Sequence, residues 1–264
     1  MKPFIAFFLL FHLSLLSAQD QYILKSNLIP GDDTIWVFKP VSYDTSICYP
    51  AVYLLHGLNG NYRSWNELVN LQEYAEKYQF VIICPDGLSD SYYLNSMVDT
   101  SWQYESFFTE ELYPKILELY PINEAKIFIT GLSMGGSGAM YLFLKHPGLF
   151  LSAGSTSGVM DLNHSSYKFT SLSRLLGDYE SNRQLFDSHS PVNLLHNIVG
   201  SGKHILFDCG TEDYLYGCNN AFRKKCDELR IKATYISRPG KHERQYWQQS
   251  ICYHFDFFNT LIEN

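Results

Sequence analysis

The chain has no CxxC pair, so a structural zinc site has little to build on. It also lacks any run or stripe of basic residues: 20 lysines and arginines face 27 aspartates and glutamates, for a formal net charge of −7. A chain of that balance repels polyanions, which makes nucleic acid and anionic membrane surfaces poor partners. Internal repeats, low-complexity segments and interdomain linkers are missing too, so the expectation is one domain. Charged residues make up only 18%, but hydrophobic residues reach 46%, which is globular composition and excludes disorder. The apolar run from Phe4 to Phe11 falls short of the roughly 20 residues that span a bilayer.

That run has a different reading. Lys2, the apolar stretch that continues loosely to Leu16, and the small residues Ser17 and Ala18 have the order of a secretory signal peptide, residues 1–18, cut after Ala18. Cleavage removes Lys2 and leaves residues 19–264 with a formal charge of −8. The expected location is secreted or periplasmic, with no stable membrane insertion after cleavage. All six cysteines would enter a compartment that permits disulfides. Cys84 and Cys209 lie in apolar strand-like runs and read as small hydrophobes, whereas Cys218, Cys226 and Cys252 leave a bond open whose pairing spacing cannot fix.

After a polar leader, the chain alternates. Strands are expected at Thr34–Pro40, Ala51–His56, Phe80–Cys84, Lys126–Thr130, Phe150–Ser157, His204–Cys209 and Ala233–Ser237, each rich in branched or aromatic residues. Helical spacing marks Asn66–Tyr78, Tyr104–Leu119 with an interruption at Pro114, Met134–Lys145, Asn219–Arg230 and a last helix from about Glu243 to Ile262. Such alternation implies a mostly parallel central sheet with helices on both faces. Residues 160–202 are polar, rich in Ser and Asn and without a strand pattern, and read as a cap-like insertion.

The chemistry centres on GLSMGG, Gly131 to Gly136, a G-x-S-x-G sequence lying where a strand gives way to a helix. On that turn Ser133 would expose its hydroxyl, and flanking glycines would let neighbouring backbone approach. A hydroxyl is a weak nucleophile and needs a base. In this arrangement the base follows the nucleophile and the acid in the chain. His242 meets that order, after the last strand and before the last helix, and no other histidine does. The acid belongs just beyond strand His204–Cys209, where Asp213 is preferred and Asp208, inside the strand, stays open as the alternative. Backbone N–H donors for an oxyanion would come from Met134, after the nucleophile, and from Leu58 in the early loop HGLNG.

LLHGLNGNYRSW, PDGLSDSYYLNS, GLSMGGSGAM, FDCGTEDYLY and PGKHERQYW, in this order, resemble the esterase D family, which includes tributyrin esterases, S-formylglutathione hydrolases, feruloyl and acetylxylan esterases and mycolyltransferases. The resemblance runs from about Trp36 to the last helix. It implies the α/β-hydrolase fold, Ser133, Asp213 and His242 as triad, and Leu58 and Met134 as oxyanion donors. One departure stands out: where family members often read HxWxxW, this chain has Arg244 at the first tryptophan position and keeps Trp247.

The expected activity is a two-step ester hydrolysis through an acyl-enzyme, which requires no metal or organic cofactor. The expected substrate is a small-molecule or carbohydrate ester with a short or aromatic acyl group, because no long apolar lid is present and Tyr167, Phe169, Tyr179 and Phe186 of the insertion could line a compact pocket. Interception of the same intermediate by an alcohol would make the protein an acyltransferase, and loss of chemistry would leave a binding protein on the same fold.

Overall fold

A computed structural model describes residues 19–165 and 170–263. The expected signal segment, residues 1–18, and two of the insertion's aromatic residues, Tyr167 and Phe169, lie outside them. Eight strands form one sheet: β1 (Gln19–Lys25), β2 (Asp32–Phe38), β3 (Tyr49–Leu55), β4 (Val81–Cys84), β5 (Ile122–Gly131), β6 (Ser152–Thr156), β7 (His204–Gly210) and β8 (Lys232–Arg238), in the spatial order β1-β2-β4-β3-β5-β6-β7-β8. The six strands from β3 onward run parallel, and β1 and β2 close one edge antiparallel. The helices are α1 (Ser64–Leu68), α2 (Leu71–Tyr78), α3 (Tyr104–Ser106), α4 (Tyr113–Leu119), α5 (Met134–Lys145), α6 (Leu162–Ser165), α7 (Thr170–Leu176), α8 (Tyr179–His189), α9 (Pro191–Leu194), α10 (Tyr216–Glu228) and α11 (Arg244–Glu263).

Side-chain alternation along the central strands divides the interior into two layers. Ala51, Tyr53 and Leu55 of β3, Val81 and Ile83 of β4, and Ile127 and Ile129 of β5 face one core, which includes Met140, Phe143 and Phe150. Val52, Leu54, Ile82, Cys84 and Phe128 face the other, where α2 and α11 pack. There Phe128 stacks on Phe258 at 4.6 Å between ring centroids, and Phe80 stacks on Phe128 at 5.9 Å. Buried on both faces, β4 and the central parts of β3 and β5 are apolar at successive positions, as interior parallel strands are.

The structure departs from the sequence reading in three places and closes a question that it left open. The expected helix Asn66–Tyr78 is two helices, because Val69 adopts an extended conformation (φ −140°, ψ 156°) and breaks the hydrogen-bond ladder. Pro114 does not interrupt the following helix: it occupies the first turn of α4, and the turns before it widen into a π-helical stretch, Phe107–Leu112, that absorbs the missing N–H. The polar leader forms β1, whose residues alternate between half-buried and exposed because it is an edge strand. No two of the six cysteines are bonded; Cys84, Cys209, Cys218 and Cys226 are buried, and burial pushes the Cys218 thiol up to about 11 and that of Cys226 to about 12.

Residues 160–202 hold α6 to α9, and the described part packs against α5 and the loop before α3. Asn197 Nδ2 donates to Leu144 O at 3.0 Å, and Met97 N donates to Leu175 O at 2.7 Å. Arg174 pairs with Asp90 at 2.7 Å and stacks over Trp102.

Candidate active site

The C-terminal ends of β3, β5, β7 and β8 open on the same edge of the sheet, the usual place for a ligand crevice in an α/β fold. β5 ends at Gly131 and α5 starts at Met134, which leaves Ser133 on the turn between them with φ 53° and ψ −116°. That conformation costs a non-glycine residue about 1–3 kcal/mol and persists only when neighbours over-determine it. Here Ser133 N donates to Thr156 O at 2.9 Å, Gly135 N to Leu132 O at 2.7 Å, and Ser137 N to Ser133 O at 3.0 Å. A Cβ at Gly135 would run into the carbonyl oxygens of Leu55 and His56, so the close approach of α5 to β3 admits only glycine.

Three of the residues singled out by the sequence meet at this turn. His242 Nε2 lies 2.9 Å from Ser133 Oγ, and His242 Nδ1 lies 2.9 Å from Asp213 Oδ2. In the tautomer these partners favour, Nδ1–H donates to the carboxylate and Nε2 accepts from the hydroxyl. Burial pushes the Asp213 carboxyl up, but the hydrogen bond and charge of His242, with the Leu215 N–H, outweigh burial and hold it below the usual carboxylate range. Two backbone bonds tie the acid's loop to the histidine's: Thr211 N to Arg238 O and Glu212 N to Gly240 O, both at 3.0 Å. Trp247 meets the His242 ring edge-on at 5.1 Å, and Tyr214 lies tilted against it at 4.7 Å.

Asp208, the alternative acid, is not at this site. Its carboxylate turns toward α11 and bonds to Thr156, Ser250 and His254. Three other histidines engage elsewhere: His146 with Glu105, His204 with Thr234, and His254 with Asp208 and Thr130.

The loop after β3 lies against the nucleophile's turn; a Cβ on Gly57 would sit 3.5 Å from Ser133 Cβ. Asn59 N donates to Ser89 O at 2.7 Å and Gly60 N to Gly57 O at 3.0 Å, whereas the N–H groups of Leu58 and Met134 meet no acceptor among the described residues. Sequence reasoning missed what supports this loop. Asp33, fully buried on β2, accepts from Asp86 N at 3.0 Å, Gly87 N at 3.2 Å and the Tyr104 hydroxyl at 2.9 Å. The segment it holds supplies the Asp86 carbonyl that bonds to His56 Nε2, and Tyr93 donates to His56 O. Burial pushes the Asp33 carboxyl up to about 7 against these hydrogen bonds. An aspartate in a β-strand carries no local signal of that role.

A cavity of ≈480 Å³ opens over Ser133 and His242. Its apolar wall includes Leu58, Leu68, Leu132 and Trp247, and its polar rim includes Asn61, Ser64, Glu67 and Arg244. Arg244 crosses the rim and donates from Nη2 to Glu67 O at 2.9 Å. Among the described residues, none of 160–202 lines the cavity. Phe186, expected as pocket lining, is fully buried and packs edge-on against Tyr179. Phe186 and Tyr179 thus pack the described part of the insertion on the core, where burying a ring removes its apolar surface from water.

Comparison with known proteins places the chain among esterases. Residues 26–257 match the Esterase family model, described as "Putative esterase". An acetyl esterase of Caldicellulosiruptor saccharolyticus is 27% identical over 81% of this chain and 84% of its own. An S-formylglutathione hydrolase of Mus musculus is 26% identical over 80% of this chain and 82% of its own. Among solved structures, an S-formylglutathione hydrolase from Staphylococcus aureus superposes with a TM-score of 0.79 at 22% identity, covering 92% of this chain and 98% of that one, which shows the same α/β-hydrolase fold. With the family matched over nearly all of the sheet and the serine on the turn that such hydrolases share, the chain belongs to the esterase family and is a serine esterase.

Proposed function

We propose that the protein is a secreted carboxylic-ester hydrolase that cleaves short or aromatic acyl esters of simple alcohols or carbohydrates through an acyl-enzyme on Ser133. The relay of two 2.9 Å contacts from Ser133 Oγ through His242 to Asp213 carries this reading. Ser133 attacks the ester carbonyl as His242 Nε2 takes its proton, and the N–H groups of Leu58 and Met134 receive the developing oxyanion. His242 then returns the proton to the leaving alcohol. Water, deprotonated by the same imidazole, releases the acid. Asp213 keeps the ring in the required tautomer and stabilises its charged form.

Size and lining support the substrate class. A cavity of ≈480 Å³ is at the small end of ligand sites, its apolar side suits a compact acyl group, and Asn61, Ser64 and Arg244 offer hydrogen bonds to a hydroxylated alcohol. On p-nitrophenyl esters of roughly two to sixteen acyl carbons, kcat/KM is expected to peak among the short chains and fall beyond them. A rise toward the longest chains would overturn this class, and transfer of the acyl group to added alcohol in preference to water would make the protein an acyltransferase.

Export rests on the sequence of residues 1–18, whose order of Lys2, apolar stretch and small Ser17 and Ala18 is that of a signal peptide cut after Ala18. Among the described residues no helix is long and apolar enough to cross a membrane. Intact-mass analysis of the exported chain is expected to find Gln19 at its start; a full-length chain retained in the cytoplasm would refute export.

A further inference from the structure

Behind the triad, on the α11 side of the sheet, lies a second aspartate–histidine pair that the proposed reaction does not use. Asp208 and His254 are both buried, as are Thr130, Thr156 and Ser250 around them. His254 Nε2 donates to Asp208 Oδ2 at 2.7 Å, and Thr156 Oγ1 donates to the same oxygen at 2.9 Å. Ser250 Oγ donates to Asp208 Oδ1 at 2.6 Å and accepts from Arg238 Nη2 at 2.7 Å. On the far side of the ring, Thr130 Oγ1 lies within hydrogen-bond distance of His254 Nδ1, at 2.7 Å. The hydroxyl at the end of this relay is 0% exposed, so no ester reaches it and the pair is not a second active site.

Burying a carboxylate is expensive, and a well-packed apolar cluster of similar volume would stabilise the fold equally well or better. What hydrogen bonds add is direction. The partners of this pair lie on the elements that carry the triad or bond directly to them. Thr130 is the penultimate residue of β5, just before the turn of Ser133. Thr156, at the end of β6, accepts the Ser133 N–H, and Asp208 O accepts the N–H of Ser157 at 2.8 Å. Asp208 lies on β7, which leads into the loop of Asp213, and Arg238 ends β8 where the turn to His242 begins.

We propose that Asp208 and His254 are positioning residues for the ester hydrolysis: through Thr130, Thr156, Ser250 and Arg238 they fix the ends of β5 to β8 relative to α11, and thereby the spacing of Ser133, His242 and Asp213. This rests on the reading of Ser133 as nucleophile. Small displacements of reacting groups cost much in turnover and little in ground-state binding, which separates this role from simple packing.

The test uses the full mature chain, p-nitrophenyl acetate as substrate, and a fluorophosphonate to count competent active sites. In His254→Phe, kcat per titrated site is expected to fall about ten- to a hundredfold with KM changed by no more than about twofold. His254→Gln, whose amide can still donate to Asp208, is expected to recover part of that loss. Thr130→Val, which deletes one hydroxyl at nearly constant shape, is expected to show a smaller fall of the same kind, and it decides the matter if His254→Phe does not fold. Losses confined to Tm or to the titratable fraction, with kcat per titrated site equal to the parent's, overturn the proposal. Peptide mapping of the parent separates the two readings: a label absent from Ser133 removes the nucleophile and this proposal together, whereas a label on Ser133 with unchanged kcat per site removes this proposal alone.

Discussion

Ser133→Ala is expected to lower turnover on p-nitrophenyl acetate by about a millionfold, the loss seen when a triad nucleophile is deleted and the remaining groups can no longer act as a unit. The substitution removes one oxygen. It breaks the 2.9 Å contact with His242 and leaves the backbone bonds from Ser133 N to Thr156 O and from Ser137 N to Ser133 O in place. Alanine at φ 53° carries the same strain as serine there, so the turn should survive. Circular dichroism and thermal melting check that the fold is kept. Turnover within a few orders of magnitude of the parent's, on a chain with unchanged melting, would remove Ser133 from the mechanism.

Asp213→Asn is expected to cost about ten-thousandfold in kcat, because an amide facing Nδ1 favours the tautomer with its proton on the wrong nitrogen. Asp208→Asn should cost no more than about a hundredfold, since its effect reaches the site only through the placement of strand ends. The 2.9 Å bond from His242 belongs to Asp213, whereas Asp208 bonds to His254 at 2.7 Å. Equal losses, or a larger one at Asp208, would reassign the triad acid. Steady-state kinetics on both variants, each with its melting curve, make the comparison.

How far the sequence could be read depended on whether a signal was local. GLSMGG sits between a branched run and a helical one, so its turn could be placed, and Met134–Lys145 is helical over the expected span. The two aspartates could not be separated that way. Five residues apart, they differ in whether the side chain leaves the sheet or passes the strand end, and that depends on where β7 stops. β1 was illegible for a related reason: an edge strand with one half-buried face carries a weak alternation that polar residues mask. Aromatic residues of the insertion suggested a pocket because composition says nothing about direction, and Phe186 points into the core. The cavity walls instead come from the loop after β3, from α1 and from the start of α11, which sequence distance keeps apart and the sheet brings together.

The division of labour between those walls and the scaffold behind the triad bears on how this enzyme can change. Nucleophile, base and acid hang from strand ends locked by buried bonds, whereas Asn61, Glu67 and Arg244 stand exposed on the opposite rims. Exposed positions free of strain or buried partners tolerate substitution at a cost of about half a kcal/mol. New substrate preferences are therefore accessible by single steps at the rims that leave the reaction centre untouched, and libraries built on those positions would explore specificity while sparing foldability.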